Sequence, residues 1–85
     1  MKFDTRITEL IAIGASVTAN CQACVTHHVG KAMESGVDRD EIVQAIELGR
    51  MVRMGAASKL DHTIESLLQS APAASDRPTT GYGCA

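Results

Sequence analysis

Apolar residues recur every three or four positions from Ile7 to Leu68, and nowhere do they alternate. That period is helical, so the chain reads as all-α. Ile7, Leu10, Ile11, Gly14 and Val17 make the buried stripe of a first helix over Thr5–Thr18. Asn20 reads as the N-cap of a second helix, Cys21 to Ser35, with Gly36 as the left-handed residue after its end. Asp38 and Glu41 form a capping-box-like pair opening a third helix, Arg39–Met54, with Ile42, Ala45, Ile46, Gly49 and Val52 facing inward. Gly55 interrupts, and a fourth helix, Ala56–Gln69, carries the stripe Leu60, Ile64, Leu67 and Leu68. Short connections favour antiparallel neighbours. The expected architecture is an antiparallel bundle of about four helices over residues 1–70, then a flexible tail over 71–85. That tail is small and polar, punctuated by Pro72 and Pro78.

A bundle of this size has little to build a core from. The 85 residues include one Phe, one Tyr and no Trp, which leaves the interior to Ile, Leu, Val, Met and Ala. So small a domain is marginal by itself, and oligomerisation is the expected source of extra stability. A net charge of −2 with dispersed lysines and arginines gives no basic face for nucleic acid. No apolar stretch is long enough to span a membrane. The charged start Met1-Lys2-Phe3-Asp4-Thr5-Arg6 lacks the apolar core of a secretory signal, so a cytoplasmic location is expected. Three cysteines, two of them close together, are not a secreted disulfide framework and point to redox or metal chemistry.

The chemistry concentrates in Asn20-Cys21-Gln22-Ala23-Cys24-Val25-Thr26-His27-His28. Cys-x-x-Cys at a helix start places two thiols within one turn, where a disulfide is permitted and the helix dipole favours thiolate. His28 follows Cys24 by four residues and shares its face, so it is placed to take a thiol proton. Glu9, set in an apolar helix, is the candidate partner that orients the imidazole. In a straight hairpin Glu9 lies about 16 Å from the turn and His28 about 10 Å. Long side chains, a bridging water, a tilted crossing or a neighbouring subunit would close that offset.

These residues and their flanks resemble the AhpD-like, carboxymuconolactone decarboxylase superfamily of small helical proteins. Glu9, eleven residues, Cys21-Gln22-Ala23-Cys24, three residues and His28 match the pattern of its redox branch. The flanks from Glu9 to Ser16 and from His28 to Val37, and the segment Asp40 to Leu48, are also similar. The resemblance covers residues 5–68. It implies a thiol-dependent peroxidase or disulfide reductase without a cofactor, in which Cys24 attacks hydroperoxide, Cys21 resolves, and His28 and Glu9 relay the proton. It further implies a trimer, hexamer or other homo-oligomer, reduced by a dithiol, a lipoyl group or a thioredoxin-type protein. Longer peroxidase members often hold a histidine inside the Cys-x-x-Cys, where this chain has Ala23.

Other readings stand beside it. Cys21 and Cys24 are also the kind of small residue that fills a core. Cys21, Cys24 and His28 could supply three zinc ligands, with Glu9 or Cys84 as a fourth, in a metal-binding or structural module. A lactone decarboxylase that keeps the cysteines without using them is a third. Val25 excludes haem attachment, which needs histidine directly after the second cysteine. His27, about 100° round the helix from His28, reads as rim, and His62 as surface. Met51 and Met54 read as core or surface filling, with an oligomer interface or a substrate entrance as the alternative.

Overall fold

The helical period is realised as three helices rather than four. The computed structural model describes residues 2–70. Helix α1 spans Thr5–Thr18, α2 spans Gln22–Glu34 and α3 spans Arg39–Ser70. Among the described residues there is no strand. The tail expected over 71–85, with Cys84, lies outside the described residues.

Each helix begins and ends for local reasons. Asp4 caps α1, its side chain accepting from the Ile7 N–H at 2.9 Å. At the other end Asn20 is not the cap of α2. It takes a positive φ of 57° and closes α1. The Asn20 N–H donates to the Val17 carbonyl and the Cys21 N–H to the Ser16 carbonyl, which is the Schellman pattern. Asparagine serves here because its short polar side chain tolerates the left-handed region. Cys21 therefore becomes the cap of α2, its sulfur accepting from the Cys24 N–H at 3.3 Å.

Gly36, with φ of 77°, ends α2 in the same way. The Gly36 N–H reaches the Met33 carbonyl, and the Val37 N–H reaches that of Ala32. Asp38 then opens α3, its Oδ1 accepting from the Asp40 N–H at 3.2 Å. The expected reciprocal bond from Glu41 is not made. Glu41 instead pairs with Arg6 across α1 and α3, accepting from Arg6 Nε at 3.0 Å.

Helix α3 runs through Gly55 without a break. A glycine costs about 1 kcal/mol relative to alanine inside a helix, which 32 residues of continuous hydrogen bonding absorb. The molecule is accordingly long, 58 × 23 × 23 Å. Helix α1 packs against both others, whereas α2 and α3 barely meet.

The core is small. Ile13, Ala32, Val37, Ile42 and Ala45 form it, with Leu10, Val29 and Ile46 packed against it. The buried face of α1 is Glu9, Ile13, Ser16 and Val17, and Ile11 is more than half exposed. The apolar count misplaced that face because two of its four members are polar. Val52, expected inside, is also more than half exposed. Gly49 lies where α1 and α3 cross most closely: a Cβ there would stand 2.6 Å from the Gly14 carbonyl oxygen and 2.8 Å from Val17 Cβ. Thr18 Oγ1 donates to the Gly49 carbonyl at 3.1 Å across this crossing. From Met54 onward every described residue of α3 is exposed, because the helix has outrun the α1–α2 hairpin.

Candidate functional site

The turn between α1 and α2 carries the chemistry. Cys21 caps α2 and Cys24 is its third residue, and the two sulfurs are joined in a disulfide. Both cysteines are half-buried. The first turn of α2 thus surrounds the sulfur pair with the positive end of a helix dipole. That field favours thiolate whenever the bond is reduced.

His28 lies one turn beyond Cys24 on α2. Its Nδ1 lies 2.8 Å from Oε1 of Glu9 on α1. Glu9 is buried and His28 is partly exposed. A carboxylate only accepts, so with Glu9 in that form the bond takes the Nδ1 proton, and a neutral imidazole then keeps Nε2 as its free nitrogen. The one-turn offset estimated for a straight hairpin is spanned directly by the two side chains of one protomer. Glu9 sits on the core face of α1, which fixes its position and with it the plane of the imidazole. The His27 ring meets that of His28 edge to face, with centroids 4.9 Å apart, and His27 itself is exposed. His62 is exposed on the far part of α3.

On its other side the disulfide borders a cleft of about 450 Å³. Val17, Val25 and Ile46 line it with apolar side chains, and Cys21, Arg50 and Arg53 border it as well. Arg53 Nη1 donates to Asn20 Oδ1 at 3.0 Å and to the Val17 carbonyl at 3.4 Å, tying α3 to the turn that presents Cys21. Arg50 pairs with exposed Glu47 at 3.3 Å among the described residues. Neither arginine stood out in the sequence. Their spacing of three, one turn after the inward-facing Ile46 and Gly49, was the available signal.

Cys21, Cys24 and His28 are also the three residues of the zinc alternative. The two sulfurs are bonded to each other, and among the described residues no group of three or more His, Cys, Asp or Glu is arranged to hold a metal ion.

The family model of the carboxymuconolactone decarboxylase family matches residues 2–63. The chain belongs to that family. No curated protein and no solved structure matches the chain. The matched span of this carboxymuconolactone decarboxylase family member includes all of α1 and α2 and the packed part of α3, and hence Glu9, Cys21, Cys24 and His28. Among the described residues no helix is long and apolar enough to cross a membrane.

Proposed function

We propose that this protein is a thiol-dependent oxidoreductase that reduces hydroperoxides by cycling Cys21 and Cys24 between dithiol and disulfide. One observation carries the reading: a disulfide at the start of α2 lies one turn from a histidine held by a buried carboxylate at 2.8 Å. In the reduced protein His28 Nε2 takes the Cys24 proton, and the positive end of α2 steadies the thiolate. Cys24 attacks the peroxide, the O–O bond breaks, an alcohol leaves, and the sulfur becomes a sulfenic acid. The Cys21 thiol displaces water from that sulfenic acid and the disulfide forms. A dithiol then returns both cysteines to thiols and leaves as its own disulfide.

The test is to expose reduced protein to one equivalent of a hydroperoxide and to measure free thiols and intact mass. The expected result is loss of both thiols and of two hydrogens in mass, abolished by Cys24→Ser. Thiols that survive the peroxide would overturn the reading. The family name carries a lactone decarboxylase activity as well, and that chemistry needs no dithiol. Lactone decarboxylation retained in a Cys21→Ser, Cys24→Ser double variant would favour it.

Self-association belongs to the same reading. Leu60, Ile64, Leu67 and Leu68 are exposed on one stripe of α3, at the spacing of a helix–helix seam. A second copy offers an identical stripe, and an isologous contact buries both at once.

A further inference from the structure

The cleft beside Cys21 is not used by the steps assigned to Cys24, His28 and Glu9. Cys21, the apolar side chains of Val17, Val25 and Ile46, and two arginines, Arg50 and Arg53, line its roughly 450 Å³. We infer that this cleft is the docking site of the reductant, and that it selects a small dithiol carrying a carboxylate. The inference rests on the oxidoreductase reading and deepens it.

Three features of the site point there. First, Cys21 lines the cleft and Cys24 does not, so a thiolate bound there approaches the disulfide from the Cys21 side. Second, Arg53 is held in place by Asn20 and Val17, the residues that close α1 just before Cys21. Its charge is therefore fixed relative to the sulfur. Third, among the described residues Arg50 pairs with Glu47, and both side chains are more than half exposed. Such a pair is weak, so a carboxylate on a bound ligand competes for Arg50 at little cost. The apolar lining of Val17, Val25 and Ile46 suits the short alkyl chain that joins carboxylate to thiol.

The step is a thiol–disulfide exchange. One thiolate of the dithiol attacks the Cys21 sulfur, and the Cys21–Cys24 bond breaks. The electron pair leaves on Cys24, which takes up a proton. A mixed disulfide now joins the reductant to Cys21. The second thiol of the reductant attacks its own bonded sulfur, closing the reductant's disulfide and releasing Cys21. The reductant loses two electrons and two protons, and the two cysteines gain them.

Dihydrolipoate and its neutral amide test this, because they are the same dithiol with and without a carboxylate. Each is mixed with the oxidised full-length protein at low salt, and formation of the cyclic disulfide is followed. The carboxylate form is expected to react about threefold to fivefold faster, the scale of an exposed ion pair. That ratio should fall towards unity as salt is added, fall likewise in Arg50→Gln, and invert in Arg50→Glu. Acid quenching of a reaction with 3-mercaptopropionate, followed by fragment mapping, should find the adduct on Cys21. Equal rates for the two dithiols, unmoved by salt and by Arg50→Glu, would overturn the cleft assignment while leaving the redox cycle intact. So would an adduct on Cys24. Failure of both dithiols to reduce the disulfide would sink the redox cycle and this inference with it.

Discussion

The buried carboxylate of Glu9 on α1 meets Nδ1 of His28 on α2 at 2.8 Å, across 19 residues of sequence. This bond ties the helix that carries the cysteines to the helix that packs against everything else. With Glu9 as a carboxylate and His28 neutral, it selects the Nδ1–H tautomer and leaves Nε2 free. It also explains why a carboxylate occupies the core face of α1, where burial would otherwise be costly.

If Glu9 orients the base, its loss should act through His28. Glu9→Gln keeps the volume and the hydrogen bond but removes the charge, and His28→Ala removes the base itself. Cys24 alkylation is expected to slow about tenfold in Glu9→Gln and about 100-fold in His28→Ala, the lower range for a positioned base. The pH dependence of alkylation should change in Glu9→Gln as well as its rate. Wild-type alkylation kinetics in both variants would remove the pair from the mechanism.

Two glycines of α3 should respond to alanine with opposite sign. At Gly49 a methyl group would collide with the Gly14 backbone and with Val17, so the helices must separate. Gly49→Ala is expected to destabilise by about 1–3 kcal/mol, despite alanine's better helix propensity. At Gly55 a Cβ meets nothing within 4 Å, and Gly55→Ala should stabilise by about 0.5–1 kcal/mol. Denaturant midpoints of the two variants check this. A gain in stability for Gly49→Ala would disprove the close crossing.

The Arg6–Glu41 pair links the first turns of α1 and α3 and should be visible in acid. The hydrogen bond from Arg6 holds the Glu41 carboxyl below its ordinary range. A lowered carboxyl pKa contributes stability above the unfolded value and loses it as pH falls through the folded value. Stability should therefore decline from about pH 4 downward, and Glu41→Gln should flatten that part of the curve. Both groups are exposed, so the effect is small and salt should reduce it. Identical acid limbs for wild type and variant would show that the pair contributes nothing.

The bare stripe of α3 predicts concentration-dependent assembly. Sedimentation of the wild-type chain should give a mass above one protomer. Leu60→Glu with Ile64→Glu should shift it to the protomer, and the melting temperature should then lose its dependence on concentration. A monomeric wild type would leave those leucines with no partner copy.

The period and caps of the sequence determined what is local. The bounds of α1, the left-handed Gly36 and the helix over the Cys-x-x-Cys follow from short-range hydrogen bonds and steric limits that each segment carries with it. The spacing of Glu9, Cys21, Cys24 and His28 was equally legible, because a chemical motif is a pattern of residue types. Tertiary packing decided the rest. Asn20 and Gly55 are both good breakers, and the sequence does not say which helix Asn20 serves or whether Gly55 stops one. Asn20 closes α1 in a Schellman turn and hands the cap of α2 to Cys21, whereas Gly55 is carried through in α3. The buried face of α1 was hidden because Glu9 and Ser16 sit on it, and only the surface packed against it makes them interior. The Glu9–His28 bond, the Gly49 crossing and the Arg53 tie to Asn20 all depend on how one helix lies against another. That placement comes from side chains far apart in the chain competing for one small core, a sum that no local window of sequence contains.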